Sequence, residues 1–348
     1  MSNWIQIARL ALGICLFAGL ERNLLGVDWV RAGVNSNQPM WGIRGGLLWA
    51  IPPGDFLPPG DPRGLIRIGY PASTNGDYQL VNFIAIEPIV DGQRGFSELE
   101  QSQLDHCRGK RLWAIGGTNE SSGQPPGELV AGRLSHPAPG VEQLDVDIGV
   151  EPFENGARVS LTISQRSDAP DEIRLTVHKA SGSADLQYCV LTATMGNEER
   201  LRQLWLRGHF WQRHKIANSR QLYPDYQGDG FAPHQSYPLK HLKRLSNGDV
   251  LVCATTDEDD PASVFPFPGT QNWHFRGPKV TQYWKQANDC VRKDLQCVVN
   301  GRYTYWQSQT PVPGGIAFEN FELQERFYEN QEFIFGVTRK SPNQITAK

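Results

Sequence analysis

Gly314 to Phe327 reads GGIAFENFELQERF, and the period of its side chains decides what kind of protein this is. Taken two at a time, Phe318, Asn320, Glu322, Gln324 and Arg326 point one way, and Glu319, Phe321, Leu323, Glu325 and Phe327 the other. That alternation is a strand's. The first set is a nearly continuous polar row, which either faces water or lines a surface that holds a polar ligand.

Working outward, similar runs recur from about residue 40. They include WGIRGGLLWAI (41–51), GLIRIGY (64–70), YQLVNFIAIEPIV (78–90), RLWAIGG (111–117) and ARVSLTISQR (157–166). EIRLTVHKA (172–180), LQYCVLTATM (186–195), GDVLVCAT (248–255), KVTQYW (279–284) and LQCVVNGRYTYW (295–306) continue the series. Each is rich in β-branched and aromatic residues and is bounded by Gly, Pro, Asn or Asp, which predicts strands. NGD (247–249), NGR (300–302) and ENG (154–156) fit tight turns. Helix signals are confined to FSELEQSQLDH (96–106), with Ser97 as N-cap and Glu100 at capping-box spacing, and GNEERLRQLWL (196–206). With no βαβ alternation, the expected class is all-β: a large antiparallel β-sandwich with one or two short helices.

Residues 35–348 read as a single β-sandwich domain, because neither Pro/Gly loop (51–64 or 117–128) separates regions of different composition. Residues 1–34 form an N-terminal apolar segment. Its eleven uncharged residues, Leu10 to Leu20, have the length of a signal-peptide core and fall short of a bilayer span. The reading is an export signal, hence an extracytoplasmic location, with an ordinary helix and a cytoplasmic location as the alternative. No transmembrane span is expected.

A net charge of −3 across 348 residues argues against a general nucleic-acid binder. The six cysteines form no C-x-x-C pair, and the eight histidines have no zinc spacing. The acidic TTDEDDP (255–261) lacks the spacing of a calcium loop. Neither a metal nor a cofactor is therefore expected. Cys290 and Cys297 are either bridged across a hairpin or two free thiols.

Two constellations could carry chemistry. In Val81–Lys110, Asn82 and Glu87 interrupt an apolar strand, and Glu98, Glu100, Asp105 and His106 follow. A carboxylate in a buried strand needs a partner, and Arg44, Arg94 or Lys110 could supply one. In Gly269–Lys285, the residues Trp273, His274, Arg276, Gln282, Tyr283 and Trp284 combine rings with hydrogen-bonding groups, the mixture a sugar site uses. GRYTYWQS adds Arg302 and Trp306 on one face. His209, His214 and His234 sit in loop-like stretches suited to acid/base work.

These C-terminal strands alternate aromatic and polar residues, which predicts a concave groove for an oligosaccharide or polysaccharide. The expected function is a polysaccharide lyase or glycoside hydrolase. Glu322 or Glu98 would be the base and His274 or Tyr283 the acid. Gln282, Arg302, Asn320 and Arg276 would hold substrate, with Trp284 and Trp306 stacking on it. A non-catalytic glycan-binding module is the alternative from another class.

The closing FENFELQERFYENQEFIFGVTR resembles the last strands of galactose-mutarotase-like β-supersandwich proteins. There a polar ligand-facing strand is followed by a turn, here YENQ, and a final apolar strand, here EFIFGV. The resemblance covers the C-terminal third as a pattern. It implies a sugar epimerase as a further alternative, since such epimerases pair a His with a late-strand Glu that Glu322 matches in placement. Their His-containing motif has no counterpart here.

Overall fold

In the computed structural model of the chain, the described residues are 26–51, 63–71, 76–116, 129–194, 200–207, 216–228, 230–256, 280–305, 309–312 and 314–346. They form two antiparallel sheets packed face to face, a β-sandwich.

The first sheet begins with β1 (Trp29–Val30), β2 (Met40–Ile43), β3 (Leu48–Ala50), β4 (Leu65–Tyr70) and β5 (Gln79–Val90). It continues through β12 (Tyr188–Thr194), β20 (Ala317–Gln324), β19 (Gln296–Arg302) and β15 (Gln235–Pro238), while β6 (Gln93–Arg94) pairs with β5. The second sheet runs β14 (Ile216–Asn218), β13 (Leu201–Trp205), β17 (Val250–Thr256), β18 (Thr281–Gln286) and β21 (Gln331–Thr338). Then come β11 (Glu172–Lys179), β10 (Val159–Arg166), β9 (Val141–Val150) and β7 (Leu112–Ala114), with β16 (Lys243–Arg244) on β17 and β8 (Arg133–Ala138) on β9.

Each expected run contains a strand, although LQCVVNGRYTYW (295–306) is strand only over β19, and β1, β8, β9 and β15 are among the additions. The run 41–51 is in fact a hairpin, β2 and β3. Among the described residues the two α-helices are α1 (Ser219–Leu222) and α2 (Pro342–Thr346), and neither lies where helices were expected. Leu201–Trp205 of the second expected helix is β13, because Leu201 and Leu204 both reach the core across a bulge between Leu201 and Gln203. No helix among the described residues is long and apolar enough to cross a membrane. The apolar N-terminal run lies outside the described residues.

Between the sheets lies one continuous core. Ile66, Ile84, Leu191 and Phe321 from the first sheet meet Leu161, Leu175, Phe333 and Phe335 from the second. Polar ties cross it: Asn82 Nδ2 donates to Gln282 Oε1, and Trp284 Nε1 donates to the Phe321 carbonyl. Cys290 and Cys297 are free thiols.

The 96–106 stretch is a turn-rich segment instead of a helix, and the reason is visible at Ser97. Its amide donates to the Ile86 carbonyl, and its hydroxyl accepts from the Ile86 amide and donates to the Gly64 carbonyl. Those bonds extend β5 pairing beyond β6 and leave no hydroxyl free to cap a helix. Gly64 has φ +73°, and a Cβ there would sit 1.9 Å from the Ser97 carbonyl oxygen. Gly64→Ala should therefore destabilise the protein by about 1–3 kcal/mol, read from the urea midpoint, and should loosen the segment that carries Glu98.

Candidate active site on the outer face of the first sheet

Four neighbouring strands, β5, β12, β20 and β19, turn polar side chains away from the core. Glu87 stands out from β5, Thr192 and Thr194 from β12, Asn320 and Glu322 from β20, and Asn300 and Arg302 from β19. Their inward neighbours Ile86, Leu191, Phe321 and Val299 belong to the core, so strand alternation fixes the polar direction.

At Phe318–Phe321 the alternation breaks. Both rings are in the core although they are three residues apart. The ladder with β19 accommodates this with a bulge: Val299 pairs with Phe321, but Gly301 pairs with Phe318. Phe318 therefore leaves the polar row in which its sequence position had placed it. Glu319 replaces it on the outer face, and Arg302 Nη1 lies 3.2 Å from Glu319 Oε1. The Asn320 amide donates to Asn300 Oδ1, closing the bulge, and Thr194 Oγ1 donates to Asn320 Oδ1. NGR (300–302) is thus the end of β19 and not a turn. At the other end of the row, Glu325 points inward and accepts from Gln286 and Gln331.

A second ion pair lies beside the first. Arg94 Nη1 is 2.6 Å from Glu87 Oε2 and 3.9 Å from Glu322 Oε1. Glu322 is wholly buried, with the Thr192 hydroxyl of β12 as its hydrogen-bonding neighbour. Glu98, half-buried, comes from the folded-back segment and interacts electrostatically with Glu319, Arg302 and Arg108. His234, preceding β15, lies 3.4 Å from Asn300 Nδ2, and burial followed by the Arg94 charge lowers its pKa.

Burial sets the protonation here. It pushes Glu87 up to about 8, reinforced by Glu322 and only partly offset by Arg94. Burial, with Glu319 next, pushes Glu98 up to about 7. Glu319 and Glu322 are raised as well, burial being the largest cause for each, opposed by Arg302 and Arg94 respectively. The site can therefore hold and release protons near neutrality.

The structure gathers Glu322, Glu98, Arg302 and Asn320 on this one face. Glu319, Glu87, Arg94 and the exposed ring of Phe231, over which the Arg302 guanidinium sits at 5.7 Å, complete the group. Other expected members stand elsewhere. Gln282 and Trp284 point into the core between the sheets, which removes them from any surface groove. Tyr283 alternates with Trp284 and so emerges on the far face of the second sheet, donating to Glu172 Oε1 beside Lys285. It cannot share a substrate with Glu322. His274, Arg276, Trp306, His209 and His214 lie outside the described residues.

Sequence reasoning missed Glu319, and the signal was present: two Phe three apart cannot share one face of a regular strand. Among the described residues, no group of three His, Cys, Asp or Glu side chains is set to hold a metal ion. Compared with protein-family models, curated proteins and solved structures, the chain matches none of them.

Proposed function

We propose that the protein is a carbohydrate-active enzyme whose acid/base groups stand on the outer face of the first sheet, and that hydrolysis is its chemistry. One observation carries the reading: Glu98 and Glu319 are neighbouring carboxyl groups, both with pKa values raised by burial, and Arg302 donates a hydrogen bond to Glu319. Glu98 has its pKa pushed up to about 7, while Glu319 is ion-paired with Arg302. Glycosidases work with such a division of labour. Glu98 as general acid delivers its proton to the glycosidic oxygen as the bond to the anomeric carbon breaks. Glu319 as base takes a proton from the water that adds to that carbon. Asn320, His234 and the Phe231 ring would meet hydroxyls and a sugar face.

The same charges weigh against elimination at a uronate, which needs a guanidinium available to neutralise the substrate's carboxylate. Arg94 and Arg302 are each engaged by a glutamate of the site. The mutarotase-like resemblance supports the placement of a ligand on this sheet and is part of the proposal.

The test is release of new reducing ends from a panel of oligosaccharides. Cleavage is expected, with Glu98→Gln lowering kcat by about 10²-fold and leaving KM little changed. Wild-type turnover in Glu98→Gln would remove it from the mechanism. Binding without cleavage would favour the second reading, a glycan-binding module, which the shared array of polar side chains also fits.

A further inference from the structure

Beside Glu319 and Arg302 lies a small cavity that the acid/base scheme leaves without a task. The chain after β19 builds it. The Tyr305 amide donates to the Thr310 carbonyl and the Val312 amide to the Tyr303 carbonyl, so this segment doubles back. Tyr305 and Val312 then pack with Ala317, at the start of β20, and the three side chains form an apolar wall. Arg302, at the end of β19, and Arg200, just ahead of β13, bring guanidinium groups to the same space, which Thr304 also lines.

Polarity and size together select an occupant. Thr304 is 3 % exposed, and its hydroxyl has no hydrogen-bond partner. A buried hydroxyl in that condition has given up its hydration with nothing in return. A guanidinium carries several N–H donors and no acceptor, so donors predominate around the cavity. The carboxyl that lines it, Glu319, takes a hydrogen bond from Arg302, and burial favours its neutral form. That surrounding repels a cation and attracts an anion. The space admits about one water-sized particle, which excludes sulfate, phosphate and a sugar ring.

We propose that this cavity is a binding site for a monatomic anion, chloride in ordinary solution, held by Arg200, Arg302 and the Thr304 hydroxyl. The inference goes beyond the carbohydrate reading and does not depend on it. The apolar wall lowers the local dielectric and so strengthens the attraction between anion and guanidinium. Because Arg302 belongs to the first sheet and Arg200 leads into a strand of the second, the anion ties the two sheets together at this edge. Binding to the folded chain alone then stabilises it. No covalent step is implied.

The experiment is chloride NMR of the full chain in gluconate buffer at constant ionic strength. Chloride exchanging with a protein site gives a broadened line. The expected result is broadening that saturates with chloride and is reversed by bromide but not by sulfate. Arg200→Gln should weaken binding by about tenfold or more, and Thr304→Val by about two- to tenfold. Ala317→Val keeps every donor but fills the space, so it should abolish binding. Melting curves show which variants are folded, and chloride should raise the Tm of the parent chain but not that of Ala317→Val.

The absence of saturable broadening overturns the inference and leaves a cavity that takes only water. Displacement by sulfate as effective as by bromide overturns it as well, because sulfate cannot enter this space. Should Arg200→Gln fail to fold, Thr304→Val and Ala317→Val carry the test. Chloride binding that is unchanged in the folded variants places the anion elsewhere and also overturns the inference.

Discussion

Arg94→Met is expected to destabilise the protein by about 3–5 kcal/mol at alkaline pH and by far less at pH 4, as removal of one partner of a buried ion pair should. The sign follows from Glu87. Its carboxyl, ordinary at 4.5, is pushed up to about 8 in the folded chain, even with Arg94 bonded to it. Between those values the folded state holds more protons than the unfolded one, so stability falls as pH rises through the window. Without Arg94 nothing opposes burial and the Glu322 charge. The folded pKa then climbs further, and the loss extends to higher pH. Below about pH 4.5 the carboxyl is protonated in both states, so the variant and the parent converge. Urea midpoints at pH 4, 7 and 9 measure this. A second change, Glu87→Gln, should recover most of the loss, since it removes the unpaired charge. A penalty independent of pH, or one that Glu87→Gln leaves intact, would show that Arg94 acts by packing alone.

This dependence on a few atoms explains how much could be read from the amino acids. The class was legible because β-branched and aromatic alternation between turn residues admits little else, and each of β4, β5, β10, β11, β12 and β20 falls where its pattern lies. The polar row of β20 was legible for the same reason at Asn320 and Glu322. The bulge was misread at Phe318 and Glu319, since one extra residue exchanges the two faces of everything beyond it. The helix expected at 96–106 failed for a tertiary reason. Ser97 and Glu100 are good capping residues, yet Ser97 bonds to β5 and Gly64, while Glu100 accepts from the Phe96 and Glu154 amides and meets Lys110 at 3.2 Å. Local propensity of a few tenths of a kcal/mol per residue cannot compete with that set of partners. For Gln282 and Trp284, composition misled: a ring beside an amide suits a sugar, but it suits a sandwich core with one internal hydrogen bond equally well.

Trp284 makes that distinction measurable. Its side chain is 1 % exposed, with its ring 4.9 Å from Phe335 and 6.4 Å from Phe333 in edge-on contacts. Its indole N–H donates to the Phe321 carbonyl at 2.8 Å. Trp284→Ala should therefore cost about 3–5 kcal/mol, the range for emptying an aromatic site in a packed core. Trp284→Phe should cost less, because it keeps ring contacts and loses mainly the hydrogen bond, worth about 1–3 kcal/mol where a buried carbonyl is left bare. Thermal or urea unfolding ranks the three proteins. The bond has a second consequence, since Phe321 lies between Asn320 and Glu322 on β20. The indole anchors from behind the strand that presents the site, and Trp284→Phe should weaken binding of an oligosaccharide ligand without removing any group that touches it. A side chain that stacked on sugar would behave in the opposite way: Trp284→Ala would abolish binding while the unfolding midpoint stayed where it was.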